Sequence, residues 1–196
     1  MHLTVTRDDY FEGAMKILAT EGHHALKMST LCKMLGVTTG SFYNYFGSWA
    51  EFTPQLLTNW EKEQTLRIEE VSNEQDDPLS RIVTMKELST TLPHESEAAI
   101  RAWSNGDPLV AEFQRRVDDE RVAALRAVVK TLVPDDAKAE LLSLMGVSLL
   151  IGAQSLRNPV DRDELHRLFD EFERTVRSYS QVPEDARRSE SRSRRR

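Results

Sequence analysis

Residues 36 to 48, GVTTGSFYNYFGS, place hydroxyls at Thr38, Thr39 and Ser41, an amide at Asn44 and phenols at Tyr43 and Tyr45 within one uncharged stretch. The stretch contains no charged side chain. The chemistry of these groups is hydrogen bonding to a polar surface rather than proton transfer. Phe42 and Phe46, four residues apart, are the apolar counterweight on one helical face. Gly40 removes the side chain that would keep the backbone away from a partner. A polar edge, an exposed backbone and an aromatic anchor together suit a phosphate-rich surface such as duplex DNA.

Other reactive residues form no recognisable centre. The sequence has no G-x-S-x-G, no phosphate-cradling glycine loop and no H-E-x-x-H. Asp163, His166 and Asp170 recur at i, i+3 and i+7, a loose metal spacing that a solvated helix face also produces. His23-His24 reads as an exposed turn, and Asp118-Asp119-Glu120 as a charged face. Cys32, the single cysteine, sits among Leu31, Met34 and Leu35 and reads as a small core residue. The sequence predicts no enzyme activity, no metal and no cofactor.

The elements that position the first stretch are helical. Tyr10, Phe11, Ala14, Ile17 and Leu18 recur at helical spacing up to Gly22. A short helix follows from about Met28 to Leu35, closed by Gly36 in a left-handed conformation. A second runs from about Thr39 to Tyr45, so the pair forms a helix-turn-helix. At its start, free N–H groups and the helix dipole favour a phosphate beside Thr38, Thr39 and Ser41. Tyr43 and Tyr45 can reach phosphates, and Asn44 can offer its amide to a base edge.

Ser48 and Glu51 read as a capping box opening a long helix to about Val71, with Pro54 predicted to kink or restart it. SNEQDDP, at 72–78, reads as a loop. Further helices are expected at about 79–91, 95–104, 108–131, 135–156 and 162–181, bounded by Asn-Gly-Asp-Pro, Val-Pro-Asp-Asp and Asn-Pro. The fold class is all-α with about nine helices: a helix-turn-helix domain at 1–47, a helical bundle at 48–182 and an Arg-rich, disordered tail at 183–196.

Residues 8–60 resemble the DNA-binding domain of the tetracycline-repressor (TetR) family. The resemblance rests on the first helix ending in Glu21-Gly22 and on LCKMLGVTTGSFYNYFGSWAEF, with its Gly36-Val37-Thr38 turn, Gly40 and Tyr43-Asn44-Tyr45-Phe46. It implies a transcriptional regulator, most often a repressor, that binds a palindromic operator in double-stranded DNA as a homodimer. It also implies release by a small-molecule effector held in an all-helical C-terminal domain. Thr38 and Tyr43 match phosphate-contacting positions, Thr39, Gly40 and Asn44 match base-approaching ones, and Ser29 matches a phosphate-facing one. Trp49 stands where the family usually has a phosphate-gripping Lys. Lys27 replaces the Thr that usually caps the second helix, leaving Ser29 to take over the cap or Lys27 to meet a phosphate.

In the second half an effector pocket would be lined by apolar and aromatic groups, for which Trp60, Met85, Trp103 and Phe113 are the candidates, each with an equally plain core reading. AELLSLMGVSLLIGAQSL, at 139–156, is apolar around most of its circumference, so it must be buried in the domain or against a second chain. With the amphipathic helix at 162–181 it would form a two-fold dimer interface through Leu142, Met145, Leu149, Gly152, Phe169 and Phe172.

The chain has 196 residues, is 39% hydrophobic and 30% charged, and carries a formal net charge of −6. The balance is uneven: residues 1–50 are neutral, 51–183 carry −9 and the tail +3. The acidic half hints at a cationic or amphipathic ligand, and the scarcity of cations near the helix-turn-helix implies a shallow salt dependence. The longest apolar run, Leu144–Ala153, is too short to span a bilayer, and the start lacks a secretion signal, so a cytoplasmic protein is expected. Two alternatives remain: a dimeric helical binding module that has lost DNA recognition, supported by Trp49, and a small helical enzyme using the C-terminal cavity.

Overall fold

The computed structural model describes residues 5–73 and 77–180, with the side chains of 65–76 left out of the description. The Arg-rich tail and the middle of SNEQDDP lie outside these residues. Among the described residues there are nine α-helices, one 3-10 turn at His23–Ala25 and no strand. The helices are α1 Arg7–Glu21, α2 Met28–Leu35, α3 Thr39–Phe46, α4 Trp49–Asn73, α5 Pro78–Thr90, α6 His94–Ser104, α7 Pro108–Leu132, α8 Asp136–Leu156 and α9 Arg162–Tyr179.

Local chemistry explains most of the boundaries. Asp77, Asp107, Asp135 and Asp161 each accept backbone N–H groups at the start of α5, α7, α8 and α9, satisfying donors a helix cannot use internally. Thr6 and Asp9 form a reciprocal capping box on α1, and the Ser48 hydroxyl accepts from Glu51 N–H on α4. α2 differs from expectation. Its cap is Lys27, which makes no side-chain capping bond, and Ser29 lies within the first turn rather than at the cap. α4 passes through Pro54 without stopping or restarting, because Phe52, Leu56, Leu57 and Trp60 are all anchored in the core on either side of it.

The 25 residues of α7 span about 37 Å at 1.5 Å per residue and serve two cores. Val110, Phe113 and Val117 join Tyr10, Ile17, Leu31, Phe42, Phe46, Phe52 and Trp60, together with Ala99 and Ile100 of α6. Leu125, Val128 and Val129 join Ile82, Leu142, Val147, Phe172 and Val176. The helix-turn-helix core is therefore not closed at residue 47, since half of α4 and parts of α6 and α7 complete it.

α8 is long and apolar enough to cross a membrane by length and composition, more so than its longest apolar run, broken by Ser148, indicated. It packs against α7 and α9, turning Ala139, Leu142, Ser143, Gly146, Val147 and Leu150 inward. Gly146 is there for closeness: a Cβ on it would lie 2.6 Å from Leu125 Cδ2 and 2.9 Å from Phe172 Cζ.

Gly47, which ends α3, has φ 70° and ψ −51°, a region open only to glycine, and a Cβ on it would meet Glu51 Oε2 at 2.6 Å. Gly47→Ala is expected to cost about 1–3 kcal/mol of stability, read as a lowered urea midpoint with an unchanged slope.

Candidate DNA-binding surface and ligand cavity

The outward presentation of α3 follows from what lies beneath it. Phe42 and Phe46 are 0% and 2% exposed. Their rings meet edge-on or tilted against Tyr10 at 5.8 and 5.3 Å, Phe52 at 5.3 and 4.8 Å, and each other at 5.1 Å. Such offset and T-shaped pairs add to the area each ring buries. With one face clamped, the opposite face points to solvent. Thr39, Gly40, Tyr43 and Asn44 are all exposed, as are Lys27 and Ser29 at the start of α2.

Thr38 caps α3 by accepting from Ser41 N–H at 3.2 Å, and its own hydroxyl proton remains available to a phosphate. Ser41 is only half exposed and accepts from Tyr10 Oη at 3.0 Å. Its hydroxyl is turned toward the underside of the helix, which corrects its expected place on the contact surface. Tyr45 likewise donates to the Val5 carbonyl at 2.8 Å, tying the chain before α1 to α3 instead of reaching outward. Trp49 is half-buried and lies against Phe42 at 5.7 Å and Phe52 at 5.0 Å. The residue that replaces the expected phosphate-gripping Lys thus extends the aromatic anchor. Cys32 is buried in the same core, where burial raises its thiol pKa and keeps it inert.

The C-terminal half holds a half-open cavity of about 100 Å³ between α4, α5, α7, α8 and α9. Its apolar wall includes Ile82, Met85, Leu125, Val147, Leu150, Phe169 and Phe172, and its polar lining is Gln64, Lys86, Ser89 and Arg121. Of the four aromatic and sulfur candidates only Met85 lines it. Trp60 and Phe113 are buried in the helix-turn-helix core with Trp103 packed against it, and the Trp103 ring stacks on His23. Large aromatics followed the larger core, not the cavity. Phe169 and Phe172, expected at a dimer interface, face this cavity instead.

Behind the cavity lies a buried polar network. Arg121 Nη2 donates to Gln64 Oε1 at 2.9 Å and Glu97 Oε1 at 2.7 Å. Gln154 donates to Glu97 Oε2 at 2.8 Å and meets His94 Nδ1 at 3.3 Å. The donor on Gln154 requires Nδ1 to be an acceptor, leaving Nε2–H for the Thr90 carbonyl at 3.4 Å. His94 is fully buried, and that desolvation holds its pKa below the usual value, in keeping with a neutral ring. On the surface His166 Nδ1 and Asp170 pair at 3.3 Å, and Lys86 also binds Asp170. No three His, Cys, Asp or Glu are grouped for a metal among the described residues.

Two predictions follow from this geometry. Tyr43→Phe should weaken DNA binding about fivefold, the worth of one hydrogen bond of about 1 kcal/mol. Tyr45→Phe should leave it within twofold, both read by fluorescence anisotropy on one duplex. For His94, the unfolded chain holds more protons than the native one below the ordinary imidazole pKa of 6.5, so stability is present above that value and is lost as pH falls. The native protein should lose more urea resistance between pH 7.5 and 5.5 than His94→Gln does.

Residues 11–52 match the family model described as bacterial regulatory proteins, tetR family. The fold is shared with a transcriptional regulator from Rhodococcus sp. Rha1, at 16% identity and a TM-score of 0.76 over 91% of this chain and 100% of that one. It is shared also with reduced NemR from E. coli, at 16% identity and 0.72 over 91% and 100%. A regulator from Saccharomonospora viridis solved in complex with choline aligns at 16% identity and 0.71 over 85% and 94%. No curated protein matches in sequence. Residues 11–52 therefore match the DNA-binding domain of the tetR family, and the chain as a whole has the fold of solved transcriptional regulators.

Proposed function

We propose that the chain represses transcription in the cytoplasm as a homodimer on a palindromic operator and is released by a small-molecule ligand. The observation that carries this reading is the α3 surface, where Thr39, Gly40, Tyr43 and Asn44 are exposed together above a buried aromatic clamp. Thr38, Lys27 and Ser29 flank it as phosphate contacts. A helix presented this way enters a major groove, and two of them about 34 Å apart in a dimer read two half-sites one turn apart.

The dimer face differs in detail from the sequence expectation. Leu142 is buried within the protomer, whereas Leu141, Leu144, Met145 and Leu156 are 58%, 53%, 36% and 80% exposed. With Ser148, Leu149 and Gly152 they form one stripe along α8, and nothing stands within 4 Å of a Cβ on Gly152. An apolar stripe this open is a contact for a second copy. Its corrected members are Leu141, Leu144, Met145, Leu149, Gly152 and Leu156.

Ligand and DNA are coupled through α4 and α6. α4 places Gln64 on the cavity and Phe52, Leu56 and Leu57 in the DNA-binding core. α6 bears Glu97 beside Arg121 and packs along α1. A ligand that shifts these helices changes the separation of the two α3 helices. A coupling of about 1–3 kcal/mol would weaken operator binding roughly 5- to 150-fold.

Two rival readings lose support. Trp49 has a structural place in the aromatic anchor, so it no longer speaks for lost DNA recognition. Regulators of this family are generally not enzymes, which disfavours turnover in the cavity. Leu144→Arg is expected to sediment as a monomer and to weaken operator binding at least about 100-fold, since each half-site is then held alone. A Leu144→Arg protein that stays dimeric with undiminished affinity would remove the α8 stripe from the interface.

A further inference from the structure

The cavity wall has an unfilled requirement. Arg121 is 8% exposed and lines the cavity. Its Nη2 is shared between Gln64 and Glu97, while its Nη1 is buried with no partner among the described residues. A buried donor left unpaired costs about 1–3 kcal/mol, more on a charged group. An oxygen acceptor is the group that the site lacks.

The surrounding charges decide what kind of acceptor. Glu97, 2% exposed, already neutralises Arg121, and Lys86 is held by both Asp170 and Glu173 at 2.8 and 2.9 Å. A carboxylate ligand would add a second buried anion where both cations of the described lining are already paired, and its desolvation costs several kcal/mol. A cation is opposed more simply, because among the described residues the lining contains Lys86 and Arg121 and no carboxylate. The cationic ligand expected from the acidic composition therefore does not fit, since the buried Glu97 is already paired with Arg121. A neutral carbonyl oxygen fills the donor at no charge cost.

Size sets the rest. The cavity of about 100 Å³ is half open, so a one-ring ligand of the size that fills a closed apolar cavity of roughly 150 Å³ can extend into its mouth. Met85 on its wall supplies a flexible thioether that adapts to shape. Resting on the reading of this cavity as the effector site, we propose that it binds a compact neutral carbonyl compound. The class is a ketone, aldehyde, ester or lactone with an apolar body of about one ring, its oxygen accepting from Arg121 Nη1.

The test is calorimetric titration of the full-length protein with four probes of similar size: acetophenone, ethylbenzene, benzoate and 1-phenylethylamine. Acetophenone should bind about tenfold or more tighter than ethylbenzene, the value of a hydrogen bond to a charged donor, and tighter than either ion. Arg121→Met combined with Glu97→Gln removes both charges together. It should bind ethylbenzene as the native protein does and lose the preference for acetophenone. Ala124→Leu, which fills the cavity, should bind neither. Equal binding of acetophenone and ethylbenzene by the native protein, or stronger binding of benzoate, would overturn the proposal, and the native comparison decides even if a variant misfolds. If none of the four binds while the protein still binds a selected DNA duplex, the carbonyl class falls and the regulator reading stands. If DNA is not bound either, both fall.

Discussion

The structure depends first on burying Phe42 and Phe46 beneath α3. An eight-residue helix is too short to persist in water by itself. Its orientation comes from aromatic contacts with Tyr10 and Phe11 of α1 and with Trp49 and Phe52 of α4. Those rings fix which residues face outward, because a helix with one face clamped has no choice about the other. The uncharged, aromatic character of residues 36–48 is thereby explained: half of the stretch is an anchor and half a contact surface. Trp49 strengthens the anchor where the family pattern would have placed a contact, and the Tyr45 phenol ties α3 to the Val5 carbonyl.

The second dependence is on α7, which serves both cores and carries Arg121 near the junction between them. A buried ion pair such as Arg121–Glu97 is weak evidence for stability, since its desolvation offsets much of its attraction. Its position is more informative. The pair and its neighbours join α4, α6, α7 and α8 at the edge of the cavity, and α4 and α6 also contact the DNA-binding core. A ligand oxygen accepting from the unpaired Arg121 Nη1 would join a network whose other bonds already tie these four helices together. Under the proposed function, α4 and α6 are the elements through which the cavity would reach α3.

How much of this was legible in the sequence depended on the range of the physics involved. Helix limits came out within a residue or two, because caps such as Asp77, Asp107 and Asp161 and the closing Gly36 act locally. The exposed set on α3 was legible from helical spacing. Ser41 and Tyr45 were misplaced because their hydroxyls are claimed by Tyr10 and Val5, partners 31 and 40 residues away in the chain. The cavity was the least legible feature. Trp60, Trp103 and Phe113 looked suited to a ligand, but large aromatics serve a core equally well, and they went to the larger one. The cavity is marked by Gln64, Lys86 and Arg121, polar residues whose burial sequence cannot reveal. On α8 the periodicity identified the helix but not its phase, so Leu142, which is buried within the protomer, was expected on the face where Leu141 is exposed. One position along a helix turns a side chain by about 100°.

The central claim is that α3 reads a two-fold symmetric DNA sequence. Selection of random duplex DNA by the purified protein tests it most directly. The account predicts enrichment of an inverted repeat whose half-sites are centred about one helical turn, roughly 34 Å, apart. A folded, dimeric protein that enriches no sequence would contradict it.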